Sequence, residues 1–285
     1  MTHTATFTEP HAATGQTIDA ARIPALGHAE AGGLAREELR RFLALVETLH
    51  ADAWQQPTDC TEWTVRDILA HQAGSYAGFT SWAEFRRQLS ARPAPGQMQV
   101  DALNARQLAD RAASSPAELI AELREVGPKA IRTRQRLPWL LRKLRLPMGP
   151  PLGTCAVEYL TDLIYPRDTW AHRLDICRAA QRPFHQTPEH DGRLLALVLR
   201  DLARKLDGRL RGQSVIFHLT GPAGGRYRIG HTAEPSAVIK MDALEFSRLA
   251  SKRLTAREAL AQGLATVSGD AAFAAEVLAE TAVPY

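Results

Sequence analysis

The chain has 285 residues, 45% hydrophobic and 23% charged, which describes an ordinary globular protein long enough for two domains with separate cores. No apolar run approaches the roughly 20 residues that span a bilayer. Seven cations (Lys129, Arg132, Arg134, Arg136, Arg142, Lys143 and Arg145) and no acid lie between Val126 and Val157; without them the net charge of +4 becomes −3, which excludes a generally basic, nucleic-acid-like protein.

Residues 1 to about 30 are rich in Thr, Ala and His and lack the basic start and apolar stretch of a secretory signal, so they read as a disordered tail. Cys60, Cys155 and Cys177 are odd in number and widely spaced, which fits small buried side chains in a reducing cytoplasm. Leu39, Phe42, Val46 and Leu49 recur at steps of three and four and predict a bundle helix from Leu34 to about Ala53. Pro57 and Asp59 mark a connection. Thr64, with Asp67 three residues on, then resembles a capping box and starts a helix predicted from Val65 to about Leu89.

On that second helix Val65, Ile68, Leu69, Gln72, Tyr76 and Phe79 form the packing face, and His71 lies on its flank. Gly74, Ser75 and Gly78, a turn away, leave room beside the imidazole, as suits a ligand facing a cavity. Prolines and a glycine between Ala91 and Gly96 break the chain, and a third helical region is expected from about Val100 to Val126, with Pro116 opening its second part. Pro138, Pro147, Pro150 and Pro151 cut the basic stretch into short pieces. Trp139, Leu140, Leu141 and Leu144 among its charges point to a segment that rests an apolar side on the protein's own cavity mouth, a membrane surface or an anionic ligand. A solvated segment covering the site is the commonest of these.

A fourth helix is predicted from Thr154, kinked near Pro166. On it Asp168, His172 and Asp175 share one face, because residues three and four apart are neighbours. A carboxylate and an imidazole so placed can share a metal ion, with His71 as a third ligand and Asp175 fixing the tautomer of His172. Asp168 could equally pair with Arg167 or Arg173, and His172 could be a satisfied core histidine. Leu194 to Leu210 reads as a connecting amphipathic helix. Strands at Ser214–Leu219, Arg226–Gly230, Ala237–Met241 and Leu264–Ser268, with helices at Ala243–Ala250, Ala256–Gln262 and Asp270–Glu280, complete a small α/β unit. The Gly221–Gly225 turn lacks the Lys and Ser/Thr of a phosphate loop. No Gly-x-Ser-x-Gly elbow occurs, and Cys60 has no base nearby.

The run Pro57-Thr58-Asp59-Cys60-Thr61-Glu62-Trp63-Thr64-Val65-Arg66-Asp67-Ile68-Leu69-Ala70-His71 resembles a signature of the DinB-like superfamily, in the branch named for mycothiol-dependent maleylpyruvate isomerase. Asp168 through Asp175 is similar to that branch's second signature, with Asp168 where a Glu is usual. The resemblance implies an α+β protein: a DinB-like four-helix bundle over residues 31–188 and a smaller sterol-carrier-like α/β domain over 189–285. It further implies one divalent metal, usually zinc, on His71, Asp168 and His172, with a mycothiol-like thiol as cosubstrate. The activity implied is addition of that thiol to an electrophilic small molecule, as an isomerase or S-transferase. Arg142 and Arg145 are the candidates for meeting an acidic substrate. The alternative is a non-catalytic binder of small or lipid-like molecules on the same scaffold. Neither nucleic acid nor stable membrane insertion is expected.

Overall fold

The computed structural model describes residues 16–149 and 152–285. The described chain divides into two compact units. Residues 25–185 and the last two residues form a helical unit, and residues 186–283 form an α/β unit that includes the described residues up to Pro24. The protein is therefore α+β. Strand β1 (Thr17–Asp19) comes first. The helical unit then contains α1 (His28–Val46), α2 (Val65–Ala77), α3 (Trp82–Leu89), α4 (Gln99–Ala109), α5 (Pro116–Gln135) and α6 (Trp139–Lys143), a hairpin of β2 (Arg145–Pro147) and β3 (Thr154–Ala156), and α7 (Tyr165–Ala179).

Helices α1, α2, α5 and α7 pack around one core, to which Leu39, Phe42, Val65, Ile68, Leu69, Tyr76, Leu119, Leu123 and Ile176 contribute. Thr64 caps α2 reciprocally with Asp67: the Asp67 amide donates to Thr64 Oγ1 at 3.3 Å, and the Thr64 amide donates to Asp67 Oδ2 at 3.0 Å. Gly127 allows α5 to approach α1, since a Cβ there would lie 2.6 Å from Leu39 Cδ2. Glu38 of α1 and Arg173 of α7 form a buried two-point ion pair, at 2.6 and 3.2 Å.

The α/β unit continues with α8 (Arg193–Leu206), β4 (Ser214–Thr220), β5 (Gly225–Gly230), β6 (Ala237–Asp242), α9 (Ala243–Ala250), α10 (Ala256–Ala261), β7 (Ala265–Gly269) and α11 (Ala271–Ala279). Its sheet runs β1-β5-β4-β6-β7 and is mixed: β1/β5 and β4/β6 are parallel, β4/β5 and β6/β7 antiparallel. The elements from Ser214 onward lie within a residue or two of their predicted spans, because period-two strands and Asp or Thr caps are local signals.

Elsewhere tertiary pairing overrides the local reading. Residues 1–15 of the expected tail lie outside the described residues, but Thr17–Asp19 is a sheet strand and α1 begins at His28. A three-residue edge strand is too short to carry periodicity. The second predicted helix is two, since α2 stops at Ala77 and Ser81 caps α3 by accepting from the Glu84 amide at 3.1 Å. Thr154–Ala156 is a strand, and a π-helical turn at Tyr159–Ile164 leads into α7. Pro166 follows directly on that π-helical turn, inside a helical run that is continuous from Val157 to Ala179, so the regular i→i−4 pattern is interrupted just before Asp168, where the proline is expected to disturb it. Helix α8 is no mere connector, because Leu194, Leu195, Leu197, Val198, Leu199 and Leu202 are buried. Trp139, Leu140, Leu141 and Leu144 are exposed. Among the described residues no helix is long and apolar enough to cross a membrane.

Candidate metal centre

Helices α2 and α7 bring His71, Asp168 and His172 together, with one donor atom from each lying within 4.8 Å of the others. Asp168 Oδ2 is 3.4 Å from His71 Nε2, and Asp168 Oδ1 is 3.3 Å from His172 Nε2, so each carboxylate oxygen faces one imidazole. Two donors each about 2.0–2.1 Å from a tetrahedral ion stand about 3.3–3.4 Å apart. The shorter Asp in place of the usual Glu therefore sets one oxygen near each ring, while one donor from each of the three residues falls within 4.8 Å of the others. Both histidines are buried and Asp168 is partly exposed, which leaves the carboxylate side accessible.

The far nitrogen of each ring is already occupied. His172 Nδ1 lies 2.9 Å from Oδ2 of the fully buried Asp175, on the next turn of α7. His71 Nδ1 lies 2.8 Å from Gln107 Oε1 of α4. Gln107 in turn donates from Nε2 to Gln88 Oε1 at 3.0 Å, and Gln88 donates from Nε2 to the Gly74 carbonyl at 2.8 Å and to Glu84 Oε1 at 2.7 Å. Each amide thus spends its NH₂ on a group that only accepts, so Gln107 presents oxygen to His71. Both Nδ1 atoms donate outward, so Nε2 is the nitrogen of each ring that faces Asp168 and would meet a cation, on His172 after loss of its second proton. The donor set fits a divalent metal with nitrogen and carboxylate ligands.

Within the site the carboxylate and the two imidazoles also pair with one another. Burial alone would raise the Asp168 pKa, but the charge and hydrogen bond of His172, with His71, hold it well below the usual carboxylate range. Burial alone would lower that of His172, but Asp168 and then Asp175 push it up to about 9. Asp168 also accepts from Gln72 Nε2 at 2.7 Å. Its alternative partners are engaged elsewhere: Arg173 pairs with Glu38, and Arg167 donates to the Pro284 carbonyl at 2.8 Å. Trp63 covers both rings, its centroid 4.8 Å from that of His71 and 5.6 Å from that of His172.

The small residues beside His71 serve a different purpose from the cavity expected of them. A Cβ on Gly74 would lie 2.7 Å from Gln107 Cβ, and one on Gly78 3.1 Å from Gln88 Oε1. These glycines make room for the two glutamines. Sequence reading missed Gln88 and Gln107 because isolated glutamines belong to no spacing motif. Arg142 Nη1 lies 3.4 Å from Glu158 and 3.7 Å from Asp162, and Arg145 donates to the Thr154 carbonyl at 2.8 Å. The cysteines are free, with Cys177 buried.

No curated protein sequence matches the chain. Two solved structures share its fold: the mycothiol-dependent maleylpyruvate isomerase (14% identity, TM-score 0.57) and a histidine-to-alanine mutant of it (13%, 0.56). Each alignment covers 88% of this chain and 96% of the other. The family model described as the mycothiol maleylpyruvate isomerase N-terminal domain matches residues 35–177. That span is half of the chain and contains His71, Gln107, Asp168, His172 and Asp175, and the chain belongs to this family.

Proposed function

We propose that the protein is a metal-dependent enzyme that activates a low-molecular-weight thiol of the mycothiol type for addition to an electrophilic small molecule. The observation that carries this reading is the convergence of His71, Asp168 and His172 within 4.8 Å, with both outer imidazole nitrogens already hydrogen-bonded. These three residues would hold one divalent ion, zinc being suited to a nitrogen and carboxylate donor set. When bound, such an ion lowers the pKa of a thiol and makes thiolate available at neutral pH.

The chain's residues do the remaining work. Asp168 offsets one of the ion's two charges, Gln107 and Asp175 hold the rings in register, and Trp63 shields them on one side. Addition forms an S–C bond as the π pair of the electrophile moves onto its conjugated acceptor. Rotation and expulsion of the same thiolate then give isomerisation with the thiol regenerated. Retention of the S–C bond, with protonation of the carbanion, gives S-transfer.

Metal analysis of full-length protein purified without chelator tests the first step. About one zinc per chain is expected, with loss of the ion in His71→Ala and His172→Ala. Absence of metal from the wild type would overturn the proposal. Turnover of maleylpyruvate with added mycothiol separates isomerase from transferase by its product, while tight metal binding without turnover of any thiol–electrophile pair would favour a non-catalytic binder.

A further inference from the structure

Arg134 differs from the other cations of the basic run. It continues the apolar stripe Leu119, Leu123, Gly127, Ala130 and Ile131 of α5, which turns it into the bundle. It is 2% exposed, and neither of its terminal nitrogens has a hydrogen-bond partner. Its guanidinium carbon lies 4.7 Å from the ring centroid of Tyr165, 5.1 Å from that of Tyr76 and 5.5 Å from that of Phe79. Cation–π attraction offsets part of the cost of burying a charge. Beyond a weak interaction with the Tyr76 phenol, it leaves both terminal nitrogens without a hydrogen bond of full geometry, which native interiors avoid.

Among the described residues no acid of the helical unit pairs with this guanidinium. Glu38 is engaged by Arg173 and Asp168 by Gln72 and the two imidazoles. Burial raises the pKa of both Tyr76 and Tyr165, so their phenols are neutral.

The place of Arg134 connects it to the candidate metal centre. Tyr165 precedes Asp168 by one turn of α7. The Tyr76 hydroxyl is 3.2 Å from Thr169 Oγ1, Thr169 donates to Gln72 Oε1 at 2.8 Å, and Gln72 donates to Asp168 at 2.7 Å. Two hydrogen-bonded side chains thus separate the Arg134 cage from the carboxylate that would bind the ion.

We propose that Arg134 is an anion-binding residue, whose two terminal nitrogens receive a carboxylate of the electrophilic substrate. The inference rests on the reading of the site as a metal-dependent centre for a small-molecule electrophile. A divalent ion on Asp168 leaves one positive charge, which the buried Asp175 beneath His172 can offset, whereas among the described residues no carboxylate pairs with Arg134. A planar guanidinium with two free N–H edges matches a planar carboxylate in geometry and in charge.

Calorimetric titration of the full-length, zinc-loaded chain with maleate, a small unsaturated dicarboxylate, tests this, with the uncharged dimethyl maleate as control. The wild type is expected to bind maleate and not the ester. Arg134→Met should lose at least tenfold in maleate affinity while keeping its zinc, and should unfold at no lower temperature than the wild type, because an apolar side chain removes a buried unpaired charge. Arg134→Lys keeps the charge without the fork, and a more than twofold loss of maleate affinity with zinc retained supports the assignment even if the Met variant does not fold. Maleate affinity within twofold of the wild type in either variant, equal binding of the ester, or no maleate binding by the wild type would overturn it. Zinc content read on the same samples reports on the metal-site proposal separately, and repeating the titration on metal-free chain reads Arg134 even if that proposal fails.

Discussion

Gln107 Oε1 lies 2.8 Å from His71 Nδ1, and that orientation of the amide is imposed by a second buried glutamine, Gln88. The tautomer of one candidate ligand is therefore set from α3 and α4, helices that contribute no ligand themselves. Gln107→Leu removes the acceptor and should weaken zinc binding by about 10–100-fold, the usual effect of losing such a partner. Gln107→Glu, which keeps an acceptor, should lose much less. Gly74→Ala, whose added methyl displaces Gln107, should resemble the Leu variant. Competition with a chromogenic chelator measures all three, and equal affinity across them would show that the relay does not position His71.

Asp168 serves both imidazoles with its two oxygens. Asp168→Glu lengthens the arm by a methylene toward the residue usual in the resembling signature and should retain zinc. Asp168→Ala leaves two neutral nitrogen ligands and should show the greatest loss of metal among single variants outside the histidines. Metal stoichiometry after dialysis discriminates the two.

His172 titrates near 9 in the ion-free chain, raised by Asp168 and Asp175 against the effect of burial. Its contribution to the stability of metal-free protein is present in full below the unfolded value of about 6.5 and is lost as pH rises through about 9. A cation must displace that proton. Zinc affinity should therefore increase from pH 6.5 to 9, and binding at pH 7.5 should release about one proton from this ring. Calorimetry in buffers of different ionisation enthalpy counts the proton, and a pH-independent affinity would contradict the assignment.

Trp63 lies against both candidate ligand imidazoles, and no other tryptophan ring stacks on either among the described residues. Binding of Co²⁺, a quenching ion, should remove part of the tryptophan emission. In Trp63→Phe the metal should still bind while that decrease disappears. Unchanged quenching in the variant would place the ion elsewhere.

The buried Glu38–Arg173 pair joins α1 to α7 immediately beside His172. Glu38→Ala removes the carboxylate from a buried guanidinium that keeps its contact with the Phe184 ring, and should cost about 3–5 kcal/mol in urea unfolding of the helical unit. A cost below about 1 kcal/mol would mean that Arg173 finds solvent or another partner.

Local features of the sequence carried much of this protein. The i, i+3 and i, i+4 spacing of Asp168, His172 and Asp175, the Thr64–Asp67 cap that sets the phase of His71, and the period-two strands from Ser214 onward each depend on residues a few positions apart. The family signatures then joined His71 to Asp168 across about a hundred residues, which spacing alone does not do. Three decisions came only from tertiary structure. Gln88 and Gln107 became the fixed outer partners of His71 because two glycines on α2 let α3 and α4 approach. Thr17–Asp19 became a strand because β5 offered it an edge. Arg134, surrounded in sequence by solvated cations, was turned inward by the apolar stripe of α5. That stripe was legible, but a guanidinium left without a counter-ion appears only once every neighbouring carboxylate has found its own partner in three dimensions.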